Sequence, residues 1–342
     1  MSDGHPSLFS VMHRFTSRRA LVITFLLGSP LLAQERSVTP LPKPPGRLID
    51  IGGGQRIHLN CTGRGSPTVV FENGAGDFSL VWALVQPRVA ATTRACSYDR
   101  AGSAWSDPGA QPRTFDQLSL ELHTAFARAG ERGPFVLVGQ SYGGLVVRGF
   151  ARRYASEVAG MVLVDAVHED QRVNMGGGKV QPIRGAAKGR PFPSPHIAAD
   201  SALLAIRRSG VVAKLASPPL EPPLDRLSPA DQKAWQAAMA DSVYRASWAA
   251  EMDWSPEELA RMHEDRLTDR TTLGDLPLVV ISRTVDTTAL AIERDKQQQD
   301  LAALSRRGRH VVAPKSGHNV HLEDPALVAR EINSIIAGVR QP

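Results

Sequence analysis

The chain has 342 residues, 42% of them hydrophobic and 22% charged, which is enough apolar material for one large core and excludes a disordered chain. Its net charge of +6 is scattered over short pairs such as Arg18-Arg19, Arg152-Arg153 and Arg306-Arg307. A nucleic-acid surface calls for a denser basic stripe with interleaved aromatics, so no nucleic-acid partner is expected.

The first segment differs from everything after it. A basic stretch (His13, Arg14, Arg18, Arg19) precedes an apolar run from Ala20 to Ala33 and then polar Gln34-Glu35-Arg36, the layout of an export signal peptide over residues 1–33. At about fourteen residues the run is short for a bilayer, so no stable membrane span is expected after its removal. A retained anchor or a buried helix is the competing reading. Export would place the mature chain in the periplasm or outside the cell. Residues 34–46 are proline-rich and read as an extended linker.

From Arg47 onward, short β-like runs follow one another: "RLIDI", "RIHLNC", "TVVFE", "TRACSYD", "FVLVGQS", "GMVLVDA", "LPLVVIS" and "RHVVAP". The later ones are nearly continuous in Val, Leu and Ile, as expected of strands covered by helices on both faces. Helical patterns alternate with them; in "TFDQLSLELHTAFARAG", Leu118, Leu122 and Phe126 recur at spacings of four. The alternation predicts an α/β fold with a mostly parallel sheet of eight strands. Gly52-Gly53-Gly54 lacks the Lys-Ser/Thr sequel of a phosphate loop and reads as a hairpin turn.

One interval breaks the rhythm. Residues 166–270 give Gly- and Pro-rich sequence and then helix-like pieces, too long for a loop inside a compact domain, and read as an inserted helical cap. The core is then 47–165 and 271–342. Ser228 and Ser255 each precede a proline and mark expected helix starts. Trp235, Trp248 and Trp254 either line a pocket under the cap or pack its helices together. His168-Glu169-Asp170 could offer metal ligands, but adjacent residues on one loop rarely build a three-ligand site, and a solvated cap hinge is the simpler reading.

The informative stretch is Gly139-Gln140-Ser141-Tyr142-Gly143, placed directly after the strand "PFVLV" and directly before a helix. In a strand–turn–helix context the glycines make room for a serine held in a strained turn and presented above the sheet. Here the chain resembles the α/β-hydrolase superfamily, from about Arg47 to the C-terminus apart from the cap. "FENGAGD" resembles its His-Gly loop after the third strand, with Asn73 in place of the usual His. "YDRAGSAWSD", "LPLVVISRTVD" and "SGHNVHLEDP" resemble the segments after the fourth, acid-bearing and last strands.

The resemblance implies Ser141 as nucleophile, His318 as base, and the backbone N–H groups of Ala75 and Tyr142 as the oxyanion hole. His321 competes with His318 but falls in the "HLEDP" that begins the next helix. The acid is Asp165 or Asp286: Asp286 stands where many members place it, but Arg283 replaces the usual glycine three residues before, whereas Asp165 ends the preceding strand. The second and fourth strands are neighbours in this fold, which brings Cys61 and Cys96 together as an expected disulfide. The implied activity is hydrolysis of a small-molecule carboxylic ester through an acyl-enzyme, with no cofactor and no metal. An acyltransferase with the same residues and a non-catalytic binding protein are the alternatives; epoxide and haloalkane hydrolases carry Asp where Ser141 stands.

Overall fold

The computed structural model describes residues 41–174, 180–209, 215–284 and 289–341. Residues 1–33 and most of the linker lie outside them. Eight strands form one sheet: β1 (Arg47–Gly52), β2 (Gln55–Thr62), β3 (Thr68–Glu72), β4 (Ala95–Tyr98), β5 (Phe135–Gln140), β6 (Val158–Val164), then β9 (Leu278–Ser282) and β10 (Gly308–Val312). Their spatial order is β1-β2-β4-β3-β5-β6-β9-β10. β2 runs against the other seven strands, pairing antiparallel with β1 and β4; every pairing from β4 to β10 is parallel. This is the mostly parallel eight-stranded sheet expected from the sequence.

The period of two in each strand divides the core into two layers. Val70, Leu137, Met161, Leu163 and Val280 meet α2 (Phe115–Ala129), α3 (Gly143–Arg153) and α7 (Ala289–Ala302) on one face. Val69, Phe71, Val136, Val138, Val162 and Ile281 meet α1 (Gln86–Ala90) and α9 (Pro325–Arg340) on the other. Burial on both faces is the physical reason these strands read as unbroken apolar runs. Local signals set the helix ends. The Thr114 side chain accepts from the Gln117 N–H to start α2, and Gly130 at φ 80° ends it. Asp324 caps α9 ahead of Pro325. The turn between β1 and β2 uses positive φ at Gly52, Gly53 and Gly54, which glycine alone adopts without strain.

Among the described residues between β6 and β9 lie two short antiparallel strands, β7 (Arg172–Asn174) and β8 (Val180–Pro182), and three α-helices, α4 (Ser201–Ser209), α5 (Pro229–Met239) and α6 (Ser242–Thr268). Two features differ from the sequence-based expectation. The two strands, three residues each, are too short to show a periodicity. Ser255-Pro256 starts no new helix: α6 runs through Pro256, and the Ser255 hydroxyl turns back to the Glu251 carbonyl 3.4 Å away. Burial of Val243, Tyr244, Met252, Leu259 and Met262 along its length holds the helix together across the missing N–H. Ser228 does cap α5, accepting from the Asp231 N–H at 3.2 Å. Among the described residues no helix is long and apolar enough to cross a membrane.

Cys61 and Cys96 are direct partners on β2 and β4 and are joined by a disulfide. Of the described residues, the grouping with metal-ligand spacing is Cys61, Cys96 and Glu131, and both its thiols are spent in this bond. Reduction is expected to add two hydrogens to the mass of the folded protein and to cost about 3–4 kcal/mol of stability, the loop-closure entropy for a separation of 35 residues. Mass spectrometry and denaturant unfolding with and without reductant check this; a mass that reduction leaves unchanged contradicts it.

Candidate active site

The carboxyl ends of β3, β5, β6 and β9 deliver Glu72, Gln140, Val164 and Ser282 to one edge of the sheet, and the site is built on the turns that leave them. At the end of β5 the chain reverses into α3 within the two residues Ser141 and Tyr142. Ser141 has φ 54°. A Cβ at Gly139 would lie 2.5 Å from the Gly143 carbonyl oxygen, and a Cβ at Gly143 would lie 2.6 Å from the carbonyl oxygens of both Glu72 and Asn73. Both glycines are therefore required by close backbone approach, and the obstructing atoms are main chain that cannot swing aside. The Ser141 N–H donates to the Val164 carbonyl, and the Ser141 carbonyl accepts from the Val167 N–H, each at 3.1 Å. The turn is thus strapped to the end of β6, where Asp165 stands.

Across this edge the Ser141 hydroxyl donates to His318 Nε2 at 3.0 Å, and His318 Nδ1 donates to Asp165 Oδ2 at 2.6 Å. His318 comes from the loop between β10 and α8 (Val320–Glu323); Gln140 Nε2 donates to its carbonyl at 3.3 Å and so holds that loop. Asp165 is buried, with its own N–H on the Ile281 carbonyl. Arg283 donates to it twice, from the backbone N–H at 3.2 Å and from Nε at 2.7 Å. Burial opposes ionisation of this carboxyl, but the His318 hydrogen bond and the charges of His318 and Arg283 outweigh it and hold its pKa well below the usual carboxylate range. Arg283 Nη2 also lies 2.7 Å from His318 Nδ1. The residue that displaces the glycine expected before Asp286 is thus a partner of Asp165. Asp286 itself lies outside the described residues.

His321 is brought elsewhere. It is fully buried, its ring 4.8 Å from that of Trp82, and among the described residues neither nitrogen has a hydrogen-bond partner. Ala75 sits on the loop after β3, packed against the buried cluster that includes Phe115, Tyr142 and Leu145; the Tyr142 N–H opens the first turn of α3, where N–H groups have no intrahelical acceptor. Trp235 packs with Phe78 and Tyr244, and Trp248 lies 3.2 Å from where a Gly76 Cβ would stand, so these two face the core edge. Trp254 packs instead on Phe192, with the Arg190 guanidinium 4.2 Å from its ring centroid. The His168-Glu169-Asp170 segment is not the solvated hinge expected from the sequence: His168 and Glu169 are buried because their polar groups are paired, His168 with Asp300 at 2.9 Å, and Glu169 accepting from Arg148 of α3 and Arg266 of α6, each at 2.8 Å.

Sequence reading missed Arg100, buried beneath the loop after β3, and Gln140, the variable residue of the motif. Neither carries a local signal, because their partners lie far along the chain; Arg100 reaches Glu251, 151 residues away.

The family model described as "Alpha/beta hydrolase family" matches residues 69–331. An AB hydrolase superfamily protein of Gibberella zeae is 25% identical over 311 residues, covering 85% of this chain and 94% of that one. An uncharacterized protein of Schizosaccharomyces pombe is 32% identical over 151 residues; the match covers 36% of this chain and spans only 28% of the length of that relative. Among solved structures, a thermophilic esterase from Thermogutta terrifontis superposes with a TM-score of 0.56 at 20% identity, covering 84% of this chain and 95% of that one.

Gly143→Ala is expected to remove the native turn, read as loss of soluble, cooperatively folding protein or of all activity; a variant as stable and as active as the parent contradicts the close approach. Burial, with a smaller contribution from the charge of His318, lowers the His321 pKa from 6.5 to about 3. Between those values the unfolded chain binds a proton that the folded one excludes, so this stability is present above about pH 6.5 and is lost as pH falls toward 3, by about 1.4 kcal/mol per pH unit. His321→Phe should flatten that decline in denaturant unfolding; an unchanged slope contradicts it.

Proposed function

Since the chain belongs to the alpha/beta hydrolase family, we propose that it is a serine hydrolase that cleaves carboxylic esters through an acyl-enzyme. The observation that carries this reading is the continuous relay from Ser141 through His318 to Asp165 on a serine held at positive φ. Ser141 Oγ attacks the ester carbonyl while His318 Nε2 takes its proton. Asp165, ionised and pinned by Arg283, holds the Nδ1–H and stabilises the imidazolium that forms. The negative oxygen of the tetrahedral intermediate is met by the N–H groups of Ala75 and Tyr142. His318 returns the proton to the leaving alcohol; a water, deprotonated in turn by His318, then attacks the acyl carbon and frees Ser141. Each step uses groups of this chain and a water, and none calls for a cofactor.

The helical segment 166–270 is read as a cap over this edge, with Trp235 and Trp248 as its surfaces toward the ester. Likeness to a protein named an esterase supports the ester as the bond cleaved. The leader-like residues 1–33 and a disulfide that oxidising compartments favour support export to the periplasm or the medium.

The test is turnover of p-nitrophenyl esters of rising chain length. Ser141→Ala should abolish it and Asp165→Asn should lower kcat by roughly 10³–10⁴-fold, while Asp286→Asn stays near the parent. Esters cleaved equally well by Ser141→Ala overturn the reading; loss in Asp286→Asn with none in Asp165→Asn moves the acid to Asp286.

A further inference from the structure

Arg100 has no part in the relay, yet it is among the most tightly held side chains of the protein. It is 3% exposed and lies directly beneath the loop that carries Ala75. Its Nη1 donates to Glu72 Oε1 at 2.6 Å and to the Asn73 carbonyl at 2.8 Å. Its Nη2 donates to the Gly74 carbonyl at 2.9 Å, and its Nε donates to Glu251 Oε2 at 3.0 Å. Glu72 Oε1 also accepts the Asn73 N–H at 3.1 Å. Two consecutive carbonyls of one loop are therefore gripped by one planar guanidinium, itself fixed between a carboxylate of β3 and a carboxylate of α6.

A peptide unit is planar, and all cis bonds among the described residues precede proline, so the Gly74–Ala75 peptide is trans. In a trans unit the N–H points opposite to the C=O. Holding the Gly74 carbonyl against Arg100 turns the Ala75 N–H away from the guanidinium, onto the face open to a substrate carbonyl. A lysine could not do this: it offers three donors from a single point, whereas this site uses a fork wide enough to span two carbonyls and two carboxylates.

Resting on the ester-hydrolase reading above, the geometry points to Arg100 as the positioning residue of the oxyanion loop, and to Glu251 as the group through which α6 of the inserted segment governs that loop. The buried charges explain the coupling. Glu72 and Glu251 are 0% and 1% exposed, so neither tolerates the loss of its cation. Arg113 approaches Glu251 to 4.0 Å from its pairing with Glu121 and fastens the far side. A displacement of α6 that draws Glu251 away leaves Arg100 held from one side only and loosens the peptide that aims the Ala75 N–H. In this arrangement the acyl site is complete only while α6 is seated.

The test separates oxyanion stabilisation from general stability by changing the substrate atom that receives the hydrogen bonds. A p-nitrophenyl ester and its thiono analogue, with C=S in place of C=O, differ at that atom, and sulfur is the weaker acceptor. The parent should prefer the oxo ester. Arg100→Lys and Arg100→Met should lower kcat for the oxo ester by about 100-fold with KM nearly unchanged, as for loss of one oxyanion donor, and should shrink the oxo-to-thiono preference by most of that factor. Glu251→Gln keeps shape and acceptor, and should shrink the same preference several-fold; it carries the test if the Arg100 variants do not fold. A preference unchanged in a folded Arg100 variant, or in Glu251→Gln when neither Arg100 variant folds, overturns the inference. Equal ester turnover by the parent and Ser141→Ala sinks the hydrolase reading with it, whereas loss in Ser141→Ala with an unchanged preference sinks only the role of Arg100.

Discussion

The rest of the structure depends on two places where a β-carbon does not fit. At Gly139 and Gly143 the main chain of β5, of the loop after β3 and of the start of α3 approach so closely that a single methyl group would overlap backbone atoms. That approach forces the reversal at Ser141, and the reversal costs the serine a left-handed conformation that side chains avoid, a strain of order 1–3 kcal/mol. The cost is offset by two backbone hydrogen bonds that tie Ser141 to the end of β6 and by the apolar layers on either side of the sheet. Because β6 is the in-register neighbour of β5, the same ties set Asp165 within reach of whatever imidazole approaches Ser141.

The inserted segment is joined to this framework by charge as much as by apolar contact. From α6 alone, Glu251 reaches Arg100, Glu258 accepts the Phe115 N–H at the start of α2, and Arg266 meets Glu169 and Asp300. All of these groups except the partly exposed Asp300 are buried, and the buried charges would be costly to leave unpaired. Such joints are directional where apolar packing is not: they define one seating of α6 over the sheet edge. The loop carrying Ala75 lies at one of these joints, the hinge at His168-Glu169 at another.

The framework and the ends of the site were legible because their signals are local. Strand runs of Val and Ile, the glycine pair around Ser141, Ser228 as a cap, and Gly317-His318 after the last strand all speak through neighbours in sequence. The choice between Asp165 and Asp286 was not legible, since it turns on which carboxylate faces His318 across 153 positions of sequence, and on Arg283, read as a missing glycine, being a partner of Asp165. Arg100 was invisible for the same reason. The continuity of α6 through Pro256 was missed because tertiary burial overrode a strong local stop, and β7 and β8 because three residues carry no period.

The most direct measurement is the site of covalent capture. Incubation of the full chain with an alkyl fluorophosphonate, digestion and peptide mass mapping should place one adduct on the peptide containing Ser141, with none formed after Ser141→Ala. An adduct on another residue, or equal labelling of that variant, would contradict the account.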